Sequence, residues 1–568
     1  MTKKILAYIL VFGLMQGTLL SGFEVAEAQT QRRKAPAKKK TAPKRTKKTV
    51  KKAKPSTKAK PSTKAKTKRR AAPRSAVSGA RSNVSELQQA LSLAKAGNYE
   101  DASMRLFNLS RSPRYMKERM QIKYLLGLML YDMKMYQTAA FHFVDVVRDG
   151  TSSYIKKSLE KLSLAADQLG DVTLLNYAIS KVELRDFPLE SQDKLRFRIG
   201  EYQFRNGELA KAAASLSAVD DNSPLYGKAK YMEALSYASQ NKNQMAIRAF
   251  NELLSSRNPD NITDTTRVAA LMGLARTHYQ NKEWDLGMNY YRQVPRDTEF
   301  YHDALFEISW AQMRAAQFRS VLGNMHSLHS PYYEDFYIPE SLLLRSLVYM
   351  YICQYDEMEK TLDLFEKIYQ PVRKDLVNII KTYRSTDKYY KEIEKIILNY
   401  DDYKSDVAVR KGSGIPFIVA RKIMRETDFA RSYDYIKMLE GERKAVDSMK
   451  SKWRTSPLGV YAKKVLTTRA QRAQENVGVL VKKYIVDIHR DLLELFKQHD
   501  FARFEMLNGK KDQVKKNILV SEGESEEEKQ NEDRSFYIQN GYEYWPFQGE
   551  YWLDEIGNYY YLGKSRCE

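Results

Sequence analysis

The feature that most constrains this chain is a four-position pattern that returns at fixed offsets. Gly127, Tyr136, Ala139 and Phe143 stand at 0, +9, +12 and +16. The same offsets give Gly200, Leu209, Ala212 and Leu216, then Ala234, Asn243, Ala246 and Phe250. They return as Ala275, Trp284, Gly287 and Tyr291, and as Ser309, Phe318, Val321 and Met325. Looser copies are Ala90, Tyr99, Ala102, Leu106 and Ser346, Tyr355, Met358, Leu362. First positions lie 34 residues apart twice (200 to 234, 275 to 309), and 37 or 41 where loops intervene. The gap of 73 between 127 and 200 fits one degenerate copy around Leu159 to Val182. A small residue in each of two helices lets them cross closely, and the large apolar residues then fill the seams. One such pair cannot cover its own apolar faces, so pairs must stack. The predicted fold is an all-α helical solenoid, which accommodates 568 residues without one large core.

The spacing over residues 84 to 370 resembles the tetratricopeptide repeat, most closely at Leu126-Gly127 with Ala139 and Phe143. The usual first Trp is missing and the closing Pro is mostly absent. The resemblance implies that the first helix of each pair lines a concave groove for partner segments. Carried over by offset, it places Tyr124, Tyr131, Phe197, Phe204, Arg205, Tyr231, Arg276, Tyr279, Phe306, Trp310 and Arg314 along that groove. Aromatic and Arg side chains suit peptide binding because they combine area with a polar handle. The same side chains also suit the seams between repeats.

Either side of the repeats the composition changes. Residues 1–28 read as a signal peptide: Lys3 and Lys4, an apolar run from Ile5 to Leu20, and Ala26-Glu27-Ala28 as the cleavage site. The predicted location is periplasmic, with an uncleaved inner-membrane anchor as the alternative. Residues 29–82 are a Lys/Pro/Ala-rich stretch in which KAKPST at 52–57 repeats at 58–63, a composition that predicts a disordered linker. Between Gln31 and Arg81 there are 22 Lys and Arg and no acid, so of the net +25 only about +3 belongs to the rest. An exported basic segment points to anionic lipid or cell-wall polymer rather than nucleic acid, or else to a solubilising spacer.

The repeats occupy 83–370 and give way to a helical extension at 371–515, with helices expected over 374–403, 416–446 and 459–510. These read either as further divergent repeats or as a bundle on the solenoid's end. An acidic break, 516–535, is predicted disordered. The segment 536–568 carries eleven Phe, Tyr and Trp between Phe536 and Tyr561. It reads as a β-hairpin-like cap docked with partial exposure, or as a recognition surface in which Tyr544, Trp545, Phe547, Tyr551 and Trp552 stack on a partner or glycan. Of the two cysteines, Cys353 reads as a small buried side chain, and Cys567 as a solvated thiol or an intermolecular link.

No pattern for catalysis stands out. His326 and His329 lack further ligands at metal-site spacing and read as surface histidines. His489-Arg-Asp lacks the remaining kinase elements. No catalytic residue, metal or cofactor is expected. Exported repeats, a basic linker and the Tyr544-Trp-Pro-Phe547, Glu550-Tyr-Trp552 tail resemble periplasmic repeat proteins of gliding-motility and related envelope complexes. The expected function is a non-enzymatic scaffold for other envelope proteins, the alternative a cell-wall or glycan-binding module acting through the tail.

Overall fold

The computed structural model describes residues 85–149, 153–171, 173–179, 192–256, 258–406, 414–519, 543, 547–563 and 565–567. The chain divides into two compact units, 1–89 and 90–568, and of the first only 85–89 are described. The expected signal peptide and almost all of the basic linker lie outside the described residues, as do residues 520–542.

Helices follow in pairs. They are α1 (Glu86–Lys95) with α2 (Tyr99–Arg111), α3 (Arg119–Asp132) with α4 (Tyr136–Asp149), and α5 (Ile155–Leu169) with α6 (Thr173–Ile179). Next come α7 (Gln192–Arg205) with α8 (Leu209–Ser217), and α9 (Tyr226–Ala238) with α10 (Asn243–Leu254). The last are α11 (Asp264–Gln280) with α12 (Trp284–Arg292), α13 (Tyr301–Arg314) with α14 (Phe318–Leu328), and α15 (Pro339–Tyr351) with α16 (Tyr355–Thr382). The pair α5–α6 fills the 73-residue gap where the pattern is barely legible.

Each pair turns on one left-handed residue: Gly97, Lys134, Gly170, Gly207, Asn241, Lys282, Ala316 and Cys353 all have positive φ. In seven of these turns the next residue's N–H reaches back five residues, as in Met135 to Leu130 and Gln317 to Gln312 (both 2.8 Å). That bond satisfies a carbonyl left open at the helix end and reverses the chain. Five of the eight turn residues are not glycine, so each holds a conformation costing a side-chain-bearing residue about 1 kcal/mol. Ala316→Gly is therefore expected to raise stability by about 1 kcal/mol, seen as a higher urea midpoint. A lowered midpoint would mean that this turn carries no strain.

The repeating offsets behave as their sizes dictate. Ala102, Ala139, Ala212 and Ala246 at +12 are fully buried, and so are Leu106, Phe143, Phe250, Met325 and Leu362 at +16. A Cβ on Gly127 would sit 2.6 Å from the Phe143 ring, and one on Gly200 2.5 Å from Leu216. Close crossing thus depends on the missing side chain. Four residues before the pattern's first position, where the tetratricopeptide repeat carries Trp, three copies have a cation and three have Leu271, Leu305 and Leu342. Lys123 pairs with Asp145 (2.6 Å), Lys230 with Glu252 (2.8 Å), and Arg196 donates to the Ala218 carbonyl (2.8 Å). In those three pairs a polar tie across the two helices stands in place of the usual indole.

The helix α16 does not stop at Pro371 but carries it inside, running on to Thr382. The proline removes one backbone bond, and buried Phe365, Tyr369, Val372, Leu376 and Ile379 hold both halves in place. Beyond it come α17 (Thr386–Leu398), α18 (Tyr400–Ser405), α19 (Phe417–Arg425), α20 (Thr427–Ser448), α21 (Ser451–Arg454) and α22 (Pro457–Leu519). At 63 residues, α22 is about 95 Å long. It packs on α2 and α4 near its start, on α17 and α20 in its middle, and on α15 and α16 towards its end. Tyr461 stacks near Phe107 and His142 (centroids 5.5 and 5.8 Å), while Lys510 pairs with Asp356 and Glu359 (2.9 and 2.6 Å). The extension is therefore no cap on one end: a single helix ties the first pairs to the last.

Candidate partner-binding surface

The eleven side chains assigned to the groove by offset fall into two groups. Tyr124, Phe197, Phe204, Phe306 and Trp310 are buried between helices. Tyr131, Arg205, Tyr231, Arg276, Tyr279 and Arg314 are half-buried. Most of them contact neighbouring helices. Tyr124 packs near Phe143 and Tyr154 (6.1 and 5.2 Å), Tyr231 near Phe250 (6.0 Å), and Tyr279 edge-on to Trp284 (4.9 Å). Burial pushes the Tyr231 phenol up to about 12. Arg276 grips Glu307 of the next pair with two bonds (2.8 and 2.7 Å), and the Tyr291 hydroxyl donates to the same carboxylate (2.9 Å). Arg198 does the same between α7 and α5, pairing with Asp167. Ion pairs thus join first helices at two junctions, through Arg276, which the offset had placed in the groove, and through Arg198, which it had not.

Some of this surface is taken by the chain's own later helices. Arg431 of α20 pairs with Glu201 (3.0 Å), and Arg425 of α19 contacts His302 (2.8 Å) and Asp303 (3.3 Å). Glu442 reaches from α20 to the start of α4. It accepts the backbone N–H groups of Gln137 (2.8 Å) and Thr138 (3.1 Å) and the Thr138 hydroxyl (2.7 Å). A carboxylate at a helix N-terminus satisfies open N–H groups and meets the positive end of the dipole. Burial nevertheless raises Glu442 to about 7, against the lowering effect of those bonds. Its contribution to stability is therefore fully present at acid pH and diminishes as pH rises from the ordinary 4.5 to about 7.

The C-terminal segment docks on α13, α14 and α15. No strand occurs among the described residues, so where the segment is described the expected hairpin-like cap is instead turns, bends and irregular chain. Much of its grip is on main chain: Arg296 donates to the Asp554 carbonyl (2.5 Å) and to Asn558 (2.8 Å), and Tyr301 to the Ile556 carbonyl (3.3 Å). Gly557 N–H donates to Ser327 (2.8 Å) and Arg566 N–H to the Ile352 carbonyl (2.9 Å). A Cβ on Gly323 would lie 1.8 Å from the Tyr559 carbonyl oxygen, so the tail's backbone lies where only glycine leaves room. Cys567 and Cys353 form a disulfide that pins the end of the tail, correcting the separate roles expected for them.

His326 is the platform for this docking and not a surface histidine. It stacks on Tyr551 (4.8 Å) and meets Phe547 (4.6 Å) and Tyr559 (4.8 Å) edge-on. His329 is held by Ser341 (2.8 Å) beside Arg345. Burial, with Arg345 adding repulsion, lowers His326 to about 4 and His329 to about 3. Both rings are therefore neutral at pH 7. Phe547 and Trp552 keep 50% and 42% of their surface exposed, whereas Tyr551 is half-buried. Tyr544 and Trp545 lie outside the described residues.

The neutral His326 gives docking a pH dependence. The burial that lowers His326 to about 4 comes in part from the docked rings, so protonation favours the undocked form. Docking is expected to be intact above pH 6.5 and to weaken progressively as pH falls towards 4. Hydrogen exchange of residues 547–563 against pH measures it, and His326→Gln should flatten the profile.

A family model described as Tetratricopeptide repeat matches residues 231–301, from within α9 to the first residue of α13. Tyr231, Arg276 and Tyr279 fall inside that match. No curated protein matches the chain.

Proposed function

Starting from the fact that the chain contains tetratricopeptide repeats, a fold that generally serves protein–protein interaction, we propose that it is a non-enzymatic scaffold for partners in a cell-envelope assembly. The observation that carries this reading is the docked tail. Pairs α13–α14 and α15–α16 already hold an irregular aromatic segment through main-chain hydrogen bonds and a ring cluster. The chemistry that binds a segment in cis is the chemistry needed to bind one in trans.

Export is supported by two independent features: the signal-peptide pattern of residues 1–28 and the Cys353–Cys567 disulfide, a bond that persists in oxidising compartments. The basic linker tethers the array to an anionic envelope layer, and the layout fits a gliding-motility-like complex. Affinity purification of the tagged chain from envelope fractions tests the scaffold: it should recover envelope proteins. Recovery of none, or a chain found in the cytoplasm with reduced cysteines, would overturn the reading. Association of the linker with anionic membranes or wall polymer should fall steeply with salt, and binding unchanged after deletion of residues 29–81 would sink the tether. The exposed Phe547 and Trp552 rings favour a second reading, glycan stacking by the tail. Loss of polysaccharide pull-down on deleting 536–568, with protein partners retained, would select it.

A further inference from the structure

Resting on the scaffold reading above, we propose that the surface of α13 and α14 beneath the tail is a sequence-specific peptide site. It takes from a partner protein a segment patterned apolar–Gly–Asn–Tyr, and the chain's own disulfide-tied tail is its built-in competitor. The pattern is that of Ile556-Gly-Asn-Tyr559. Ile556, 2% exposed, is the one buried residue among 547–563. Gly557 has φ +88°, and a Cβ there would lie 2.0 Å from the Tyr301 hydroxyl, so only glycine fits both the conformation and the space. Its N–H donates to Ser327 Oγ (2.8 Å), and the Asn558 side chain accepts from Arg296 (2.8 Å). Tyr559 sets its ring edge-on to His326 (4.8 Å) and its carbonyl against Gly323. Four consecutive residues thus meet four different features of the body.

The segment also carries its own shape. Glu555 N–H donates to the Trp552 carbonyl (3.1 Å), Asn558 N–H to the Glu555 carbonyl (2.8 Å) and Trp552 N–H to the Tyr559 hydroxyl (3.1 Å). These bonds lie within the segment, so a partner segment making the same turns brings them along and loses less freedom on docking. What holds the tail in cis is modest. One buried side chain anchors it, the rings around His326 are half-buried or exposed, and Cys567, which ties its end, is itself exposed. The disulfide and the chain leading from α22 keep the tail's local concentration high, which lets a lightly held segment outcompete a free one.

The test uses the full chain and a synthetic peptide of residues 547–563. Ile556→Asp with Gly557→Val in the chain's own tail, in the Cys567→Ser background, frees the site while the helices keep their circular dichroism and melting curve. The peptide should bind this variant at least about tenfold more tightly than the oxidised wild-type chain. The same peptide carrying Gly557→Val should bind neither, and adding Gly323→Val to the freed chain should abolish binding. A second measurement needs no substitution: dithiothreitol reduces the wild-type chain, leaving as its cyclic disulfide while Cys353 and Cys567 each gain a thiol hydrogen. Peptide affinity should then rise about tenfold. Equal affinity for the freed and oxidised chains, tolerance of Gly557→Val in the peptide, or an affinity unchanged by reduction would overturn the proposal. None of these outcomes bears on the recovery of envelope proteins, so the scaffold reading stands or falls separately.

Discussion

Trp453→Ala lowers the stability of the folded chain by about 3–5 kcal/mol and loosens the joint between the later helices and α2. Trp453 is 1% exposed and its indole N–H donates to Ser103 of α2 at 3.1 Å. Truncation empties the largest fully buried side-chain volume and leaves the Ser103 hydroxyl without that donor. The neighbouring ties cannot compensate: Lys452–Asp101 (2.9 Å) and Lys450–Glu100 (3.4 Å) involve exposed lysines, and such pairs contribute less than about 1 kcal/mol. The expected readout is a lower urea midpoint together with faster hydrogen exchange in α20 and the first turns of α22. Trp453→Phe, which keeps most of the volume, should cost much less. An alanine variant with an unchanged midpoint would mean that this joint does not hold the later helices.

Gly323→Val expels the tail. The added Cβ would need the Tyr559 carbonyl, 1.8 Å away, to move, and the obstacle is backbone rather than a rotatable side chain. Overpacking of this kind costs about 3 kcal/mol, roughly a hundredfold in the ratio of docked to free tail. With Cys353–Cys567 intact the far end stays tied, so the effect should be partial in the oxidised chain. In the Cys567→Ser background it should be complete, seen as rapid proteolysis of residues 547–567 while the helices keep their melting curve. A tail equally protected in wild type and in the double variant would refute the docking geometry.

How much of this was legible can be followed residue by residue. The +12 and +16 positions were readable because burial in a stacked pair demands one size at one spacing, and Ala139 and Phe143 meet that demand. The turns were not. Lys134, Lys282, Ala316 and Cys353 adopt positive φ, yet only glycine or asparagine, as at Asn241, signals it in a sequence. The groove assignment by offset located eleven residues on first helices, but could not separate those consumed in seams, such as Trp310 and Phe204, from those nearer solvent. That separation depends on which side chains neighbouring helices bring against each position, as Phe143 of α4 is brought against Tyr124. His326 was misread because a ring in a polar stretch becomes a half-buried platform only when residues 551 to 559 arrive from more than two hundred positions away.

By itself the sequence determined that helices form, that they pair, and that pairs must stack, since these follow from side-chain size and period along a local stretch of chain. It also placed the basic charge in one N-terminal segment. Only the tertiary structure decided where α22 lies, which cysteine meets which, and that Glu442 caps a helix some three hundred residues earlier. Each of those depends on the angle accumulated over successive pairs. That angle is a sum of many small packing terms, and no single residue encodes it.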